Sequence, residues 1–375
     1  GAICSNDARS CYDLTGHSQA SLAMQRNGVP RAAVDCLFTT MQEARHQVRT
    51  GYGDSYLSYG GSDWVTPMHG IGQGNGAGPA IWAVLSTPLL NLLRKKGFGC
   101  EFVSPISQEP LHFVGYAFVD DTDVIESKPN KTYKETADSL QMAVNHWEGG
   151  LKATCGAIVP EKTFWYLIDF QWSAGSWYYK CIDDCPASIY IKDINGCRKE
   201  LRRCQVDDAQ ETLGVYLAPD GNTRRQQRKM MDLAIGWADS MRTGKIPKDD
   251  AWLAFNSTIW KTLSYPLPAL NMSKEDCESI MKPVLQYLLP AIGVCRNFPR
   301  TLVYNSEKYM GLGLKHLHTT QEICRLKDLI SHVSRRTNTG SLYKTTLENL
   351  ILEVGMGTDI LRIPSNALQS LATDS

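Results

Sequence analysis

Tyr116-Ala117-Phe118-Val119-Asp120-Asp121-Thr122-Asp123-Val124 is the stretch on which the reading of this chain turns. Aromatic and apolar residues alternate up to Asp120, and the alternation resumes after Asp121. That period of two predicts two strands joined by a tight acidic turn. A solvated turn accounts for the adjacent carboxylates, because aspartate is a common turn residue. The other reading is that they hold hard divalent cations, which take oxygen ligands and serve phosphoryl transfer. A further carboxylate and a nucleotide pocket elsewhere in the chain separate the two.

Near the start, Asp7-Ala8-Arg9-Ser10-Cys11-Tyr12-Asp13 follows the apolar run Ala2-Ile3-Cys4. Between the two acidic stretches lies Gly70-Ile71-Gly72-Gln73-Gly74-Asn75-Gly76-Ala77-Gly78-Pro79, whose glycines let backbone approach a ligand closely. Taken in this order, the three segments resemble motifs A, B and C of reverse transcriptases, and those of non-LTR retrotransposons in particular. The patterns there are D-x-x-x-A-F-D, G-x-x-Q-G-x-x-x-x-P and an aromatic followed by x-D-D. This chain departs from them at Cys11, at Gly76 to Gly78 and at Val119, and none of these removes a carboxylate.

The resemblance implies an α+β fold: a right-hand polymerase palm, an antiparallel sheet backed by helices, with partial fingers and a helical thumb. Residues 1–218 would form the palm and partial fingers, 219–300 the thumb, and 301–375 a C-terminal helical region that reads as polar-faced. Asp7, Asp120 and Asp121 would be catalytic and hold two Mg²⁺, with Mn²⁺ as the alternative. Ala8, Tyr12, Gln73 and Gly74 would bind nucleotide, Tyr12 as an aromatic gate against a 2′-hydroxyl; Asp13 reads as structural. Pro160-Glu161-Lys162-Thr163 resembles motif D, so Lys162 would protonate the leaving pyrophosphate as an ammonium of lowered pKa; a surface lysine is the plainer reading. Thr212-Leu213-Gly214-Val215-Tyr216-Leu217 resembles motif E, with Gly214 at the primer end. The implied partners are an RNA template, a DNA primer and deoxynucleoside triphosphates, with no membrane and a nuclear site of action.

Composition adds bounds. A chain of 375 residues with 43% hydrophobic and 21% charged residues has the makeup of a globular protein of two or three domains. Net charge is zero, so contact with nucleic acid must rest on local charge. Eight basic against five acidic residues between Arg198 and Lys229 supply a net +3. There Arg224, Arg225, Arg228 and Lys229 share one helix face and are candidates for phosphate contact, while Met230, Ala234, Trp237 and Met241 take the other. Twelve cysteines include no CxxC pair; Cys181, Cys185, Cys197 and Cys204 depart from common zinc spacings and read as thiols of a reducing compartment. The apolar stretch Ala80 to Leu93 is shorter than the ~20 residues a bilayer needs.

Other elements are legible from pattern. Helices are expected over Ser18 to Arg26, Pro30 to about Arg49, Pro79 to Lys96, Tyr133 to a stop at Gly149-Gly150, and Trp252 to Leu263. Ser273-x-x-Asp276 is a capping box for a helix that Pro283 should kink or end. Phe164 to Asp208 reads as a β-rich insertion. A catalytic-looking strand directly after Gly1 suggests a fragment whose basic fingers strands lie upstream. Two rival functions stand beside the polymerase: an RNA-templated RNA polymerase, which the Gln-Gly loop and Val119 disfavour, and an inactive fragment that binds nucleic acid or protein.

Overall fold

The computed structural model describes residues 1–61, 69–193 and 195–355. The chain divides into two compact units, Gly1–Phe102 with His112–Val206, and Val103–Leu111 with Asp207–Ser375. No helix among the described residues is long and apolar enough to cross a membrane. The fold is mixed α+β.

The first unit is built on a five-stranded sheet: β1 (Ala2–Asp7), β2 (Gly115–Phe118), β3 (Asp121–Glu126), β4 (Phe164–Leu167) and β5 (Arg202–Cys204), in the order β5-β4-β1-β3-β2. All neighbours are antiparallel except β4 and β5. The Asp-Asp hairpin expected from the sequence is β2–β3. Alternation along β1 buries Ala2, Cys4 and Asn6, and along β3 it buries Thr122, Val124 and Glu126. Helices α3 (Gly78–Lys95) and α4 (Tyr133–Ala153) cover that face with Trp82, Leu85, Leu89, Leu140, Val144, Trp147 and Leu151. The other face is left to Ser5, Asp7, Asp121 and Asp123. An antiparallel pair can work this way, one side in the core and one toward water.

Two bonds tie the covered face together. Asn6 donates from Nδ2 to the Thr122 carbonyl at 2.8 Å and accepts at Oδ1 from the Trp147 indole at 2.9 Å, all buried. One amide thus joins β1, β3 and α4 directly beneath Asp7.

Several boundaries differ from expectation. α1 (His17–Arg26) agrees, but α2 (Arg31–Glu43) stops six residues short of Arg49, and two small hairpins follow, Arg49–Thr50 with Gly53–Asp54 and Arg45–His46 with Tyr59–Gly60. α4 runs through Gly149-Gly150 instead of ending there. A Cβ on Gly150 would stand 3.0 Å from Leu89 Cδ2, so the glycine marks a close helix crossing and not a cap. The Phe164 to Asp208 segment is not wholly an insertion: its first and last strands, β4 and β5, complete the central sheet. Only the hairpins Phe170–Ser173/Ser176–Tyr179 and Tyr190–Lys192/Arg198–Glu200 stand apart from that sheet.

The second unit has its own core. The hairpin Gln210–Thr212/Val215–Leu217 leads into α5 (Arg224–Gly244), whose Met230 and Ala234 pack with Phe255, Ile259, Leu263, Ile280, Val284 and Leu288. Helical backbone from Lys248 to Ser264 is continuous through a π-turn at Phe255–Ile259. The capping box at Ser273 is present, with its hydroxyl accepting from the Asp276 amide at 3.0 Å. The helix it opens, Lys274–Ala291, does not end at Pro283 or at Pro290. Burial of Ile280, Met281, Val284, Leu285, Leu288 and Leu289 outweighs the ~3 kcal/mol an interior proline costs. Gly311 to Leu314 is not helical, and the helix Leu317–Val333 that follows is not purely polar-faced, since Ile323, Leu326 and Ile330 are exposed on it. Residues 356–375 of the expected C-terminal helical region, and 62–68 of the glycine-rich approach to Gln73, lie outside the described residues.

Two stability predictions follow from these contacts. Asn6→Ala strands the Trp147 indole N–H and the Thr122 carbonyl and is expected to cost about 2–4 kcal/mol, read as a lower urea midpoint at unchanged slope. Ser273→Ala removes one cap and should cost about 1 kcal/mol in the same titration.

Candidate active site

The acidic site is made by register. Asp7 closes β1 and Asp121 opens β3, and the two are directly paired Cα partners. Phe118 pairs with Asp121, which leaves Val119 and Asp120 as a two-residue turn. Such turns match the sheet twist when the first residue has positive φ, a conformation that suits glycine. Here it is Val119, at φ +56°, an outlier for a β-branched side chain. Its strain is held from outside, because the Trp82 indole of α3 donates to the Val119 carbonyl. The Ala8 amide donates to the Asp120 carbonyl at 2.9 Å, fastening the turn to the end of β1.

Like charges across a strand pair repel, and here that repulsion adds to burial. Burial, then Asp120, Asp7 and Asp123, push the Asp121 carboxyl above its usual value, with Lys162 opposing. Asp123, one step further along β3, is raised by its own burial. Lys162 Nζ bonds Asp7 Oδ2 at 2.8 Å. Its ammonium is accordingly raised, through the Asp7 hydrogen bond and charge and then Asp120 and Asp121. This corrects the sequence expectation of a lysine with a lowered pKa: the anionic neighbours outweigh the desolvation that opposes the charge.

A cavity of about 510 Å³ opens in front of this group, lined by Asp7, Arg9, Ser10, Cys11, Tyr12, Gln73, Val119, Asp120, Val159 and Lys162. Five of the expected residues therefore meet: Asp7, Asp120, Lys162, Tyr12 and Gln73. The glycine-rich loop is pinned beside Tyr12 by backbone contacts. The Ile71 amide donates to the Tyr12 carbonyl at 2.9 Å, and a Cβ on Gly70 would fall 2.3 Å from the Asp13 carbonyl oxygen. The Tyr12 ring lies against Gly78 at the start of α3. Half-buried Asp121, buried Ala8 and exposed Gly74, the last at φ +90°, do not line the cavity. Asp13 is exposed. Cys11 is buried, and burial with the Asp120 charge pushes its thiol up to about 12, so it is no nucleophile.

In the second unit the expected phosphate-binding face divides in two. Arg225 donates to the Ala209 carbonyl at 2.7 Å and Lys229 to Glu211 at 2.8 Å and to the Gly214 carbonyl at 3.1 Å. Both cations lie over the Tyr216 ring, at 4.2 and 5.0 Å from its centroid. They brace the Leu213-Gly214 turn against α5. Arg224 and Arg228 are exposed on the same helix and keep their charge toward solvent.

Asn6, Trp82 and Arg9 were not anticipated from the sequence as parts of the site. Asn6 and Trp82 act through partners 141 and 37 residues away, so no local pattern announces them. Arg9 stood in plain view within the first acidic segment, and only the cavity singles it out. No protein-family model matches the sequence, and none of the curated proteins does. Among solved structures, a telomerase from Candida tropicalis, in complex with a TWJ fragment of telomeric RNA, aligns over 92% of this chain and 49% of its own at 10% identity, with a TM-score of 0.36. The chain thus spans about half the length of that telomerase, and a likeness this slight carries no argument about fold or chemistry here.

Proposed function

We propose that the first unit is the palm of an RNA-directed DNA polymerase of non-LTR retrotransposon type, and the second its helical thumb. The observation that carries the reading is the cross-strand pairing of Asp7 with Asp121, beside Asp120 in the turn, at the mouth of a cavity that also holds Tyr12, Gln73 and Lys162. A solvated turn has no reason to gather a second acidic segment, an aromatic and a glutamine from distant parts of the chain.

The donor set suits a hard divalent cation: carboxylate oxygens, mutual repulsion and an ammonium already bound where positive charge is wanted. Among the described residues no group of three histidine, cysteine, aspartate or glutamate side chains is arranged to hold a metal ion. Asp7, Asp120 and Asp121 would hold Mg²⁺, or Mn²⁺, which supplies Lewis-acid stabilisation of the transferring phosphoryl group. The chain's own residues do the rest. Tyr12 lies under the sugar and excludes a 2′-hydroxyl. Gln73 faces the nucleotide from the glycine-rich loop. The primer 3′-hydroxyl gives up its proton to solvent as its oxygen attacks the α-phosphorus, the bond to the bridging oxygen breaks, and pyrophosphate leaves. Lys162 Nζ, kept protonated at neutral pH by its anionic neighbours, is placed to give that leaving group a proton. Arg224 and Arg228 contact phosphates of an RNA template paired with a DNA primer. The site of action is nuclear, as for elements of this type.

Primer extension on annealed RNA with Mg²⁺ and deoxynucleotides tests the reading. Extension is expected, and an Asp120→Asn/Asp121→Asn double variant should lower it by at least about 10³-fold. RNA binding without any extension, in wild type and variant alike, would assign the chain to binding instead. Tyr12→Ala should cut the preference for deoxy- over ribonucleotides by about tenfold or more, measured as the ratio of kcat/KM values; an unchanged ratio removes Tyr12 from that role.

A further inference from the structure

The polymerase reading leaves one requirement open: a deoxynucleoside triphosphate is a polyanion, and the cavity mouth is acidic. Four charged side chains line the cavity, Asp7, Asp120, Arg9 and Lys162. Lys162 is bonded to Asp7 and so belongs to the carboxylate group. Arg9 is the other cation. Its side chain is exposed, and among the described residues no ion pair engages it. Its backbone is fixed: the Arg9 amide donates to the Ala157 carbonyl at 2.8 Å, the Ala8 amide before it is bonded to Asp120, and Ser10 after it turns the chain at φ +42°. A free guanidinium on an anchored backbone, between the carboxylate Asp7 and the sugar-facing Tyr12, presents a planar fork of donors that fits phosphate oxygens in pairs.

We propose that Arg9 binds the β- and γ-phosphates of the incoming nucleotide from within the palm. This inference rests on the polymerase reading. Under it, Asp7 and Tyr12 address the α-phosphate and the sugar, and Arg9, lying between them in sequence and reaching the same cavity, takes the tail. A surface arginine held for solubility has no need of a backbone bonded on both sides, nor of a place in this lining. Arg9 is a binding residue; the proton and the metal ligands stay with Lys162 and the aspartates.

The test is equilibrium binding of fluorescently labelled deoxynucleoside tri- and monophosphate to the full chain with Mg²⁺ and no primer, so that no turnover occurs. Wild type should favour the triphosphate. Arg9→Ala should lose most of that preference, about tenfold or more, with monophosphate binding unchanged, and Arg9→Lys should keep part of it. Because Arg9 is exposed, both variants should keep the far-UV circular dichroism of wild type. If wild type favours the triphosphate and Arg9→Ala does so equally, the role of Arg9 is refuted while the polymerase reading stands. If Arg9→Ala weakens binding of a labelled RNA oligonucleotide and leaves the triphosphate preference intact, Arg9 serves the template and the proposal is equally overturned. If wild type itself shows no preference, the nucleotide cavity falls, and this inference with it.

Discussion

Two carboxylates paired directly across adjacent antiparallel strands are the constraint on which the first unit depends. Asp7 and Asp121 face each other with Asp120 next in the turn, and burial, with repulsion from Asp120 and Asp7 added to it, raises the Asp121 carboxyl. An arrangement of this kind costs stability at a cross-strand position, so it persists only where the surroundings fix it. Lys162 offsets part of the charge through Asp7, although with the Lys162 side chain 66% exposed this ion pair contributes little to stability. Its importance is electrostatic: it sets a positive charge beside the carboxylates.

The fixing comes from the covered face of the same sheet. Asn6, buried under Asp7, couples β1 to β3 and to Trp147 of α4, while Trp82 of α3 holds the carbonyl of the strained Val119. Both helices therefore do two jobs, filling the core and gripping one corner of the acidic turn. Strain at such a corner belongs with function, because nothing about a plain hairpin requires a β-branched residue at positive φ. The loop before α3 serves the same corner from the other side: Gly70 permits backbone contact with Asp13, and the Tyr12 ring lies against Gly78.

In the second unit the same economy appears in Arg225 and Lys229. Sequence alone counts them as charges available to a phosphate, but the fold spends both on Tyr216 and on the carbonyls and carboxylate of the hairpin before α5. Long cationic side chains close to a tight turn find its carbonyls first, which leaves Arg224 and Arg228 as the residues proposed to face phosphate.

What the sequence determined by itself was the local grammar: the acidic hairpin from its period of two, the helix at Tyr133, the capping box at Ser273, and the ordered acidic and glycine-rich segments that meet at the cavity. These are encoded by neighbours a few residues apart. Tertiary structure decided what depends on distant partners. Gly149-Gly150 reads as a stop and becomes a helix crossing because Leu89 presses on it. Pro283 reads as a break and is overridden by burial on both sides of it. Phe164 to Leu167 and Arg202 to Cys204 read as part of an insertion and become central-sheet strands because β1 has a free edge to pair. The direction of the Lys162 pKa shift reversed for the same reason, since a pKa is set by the groups that folding brings alongside, and here those groups are carboxylates.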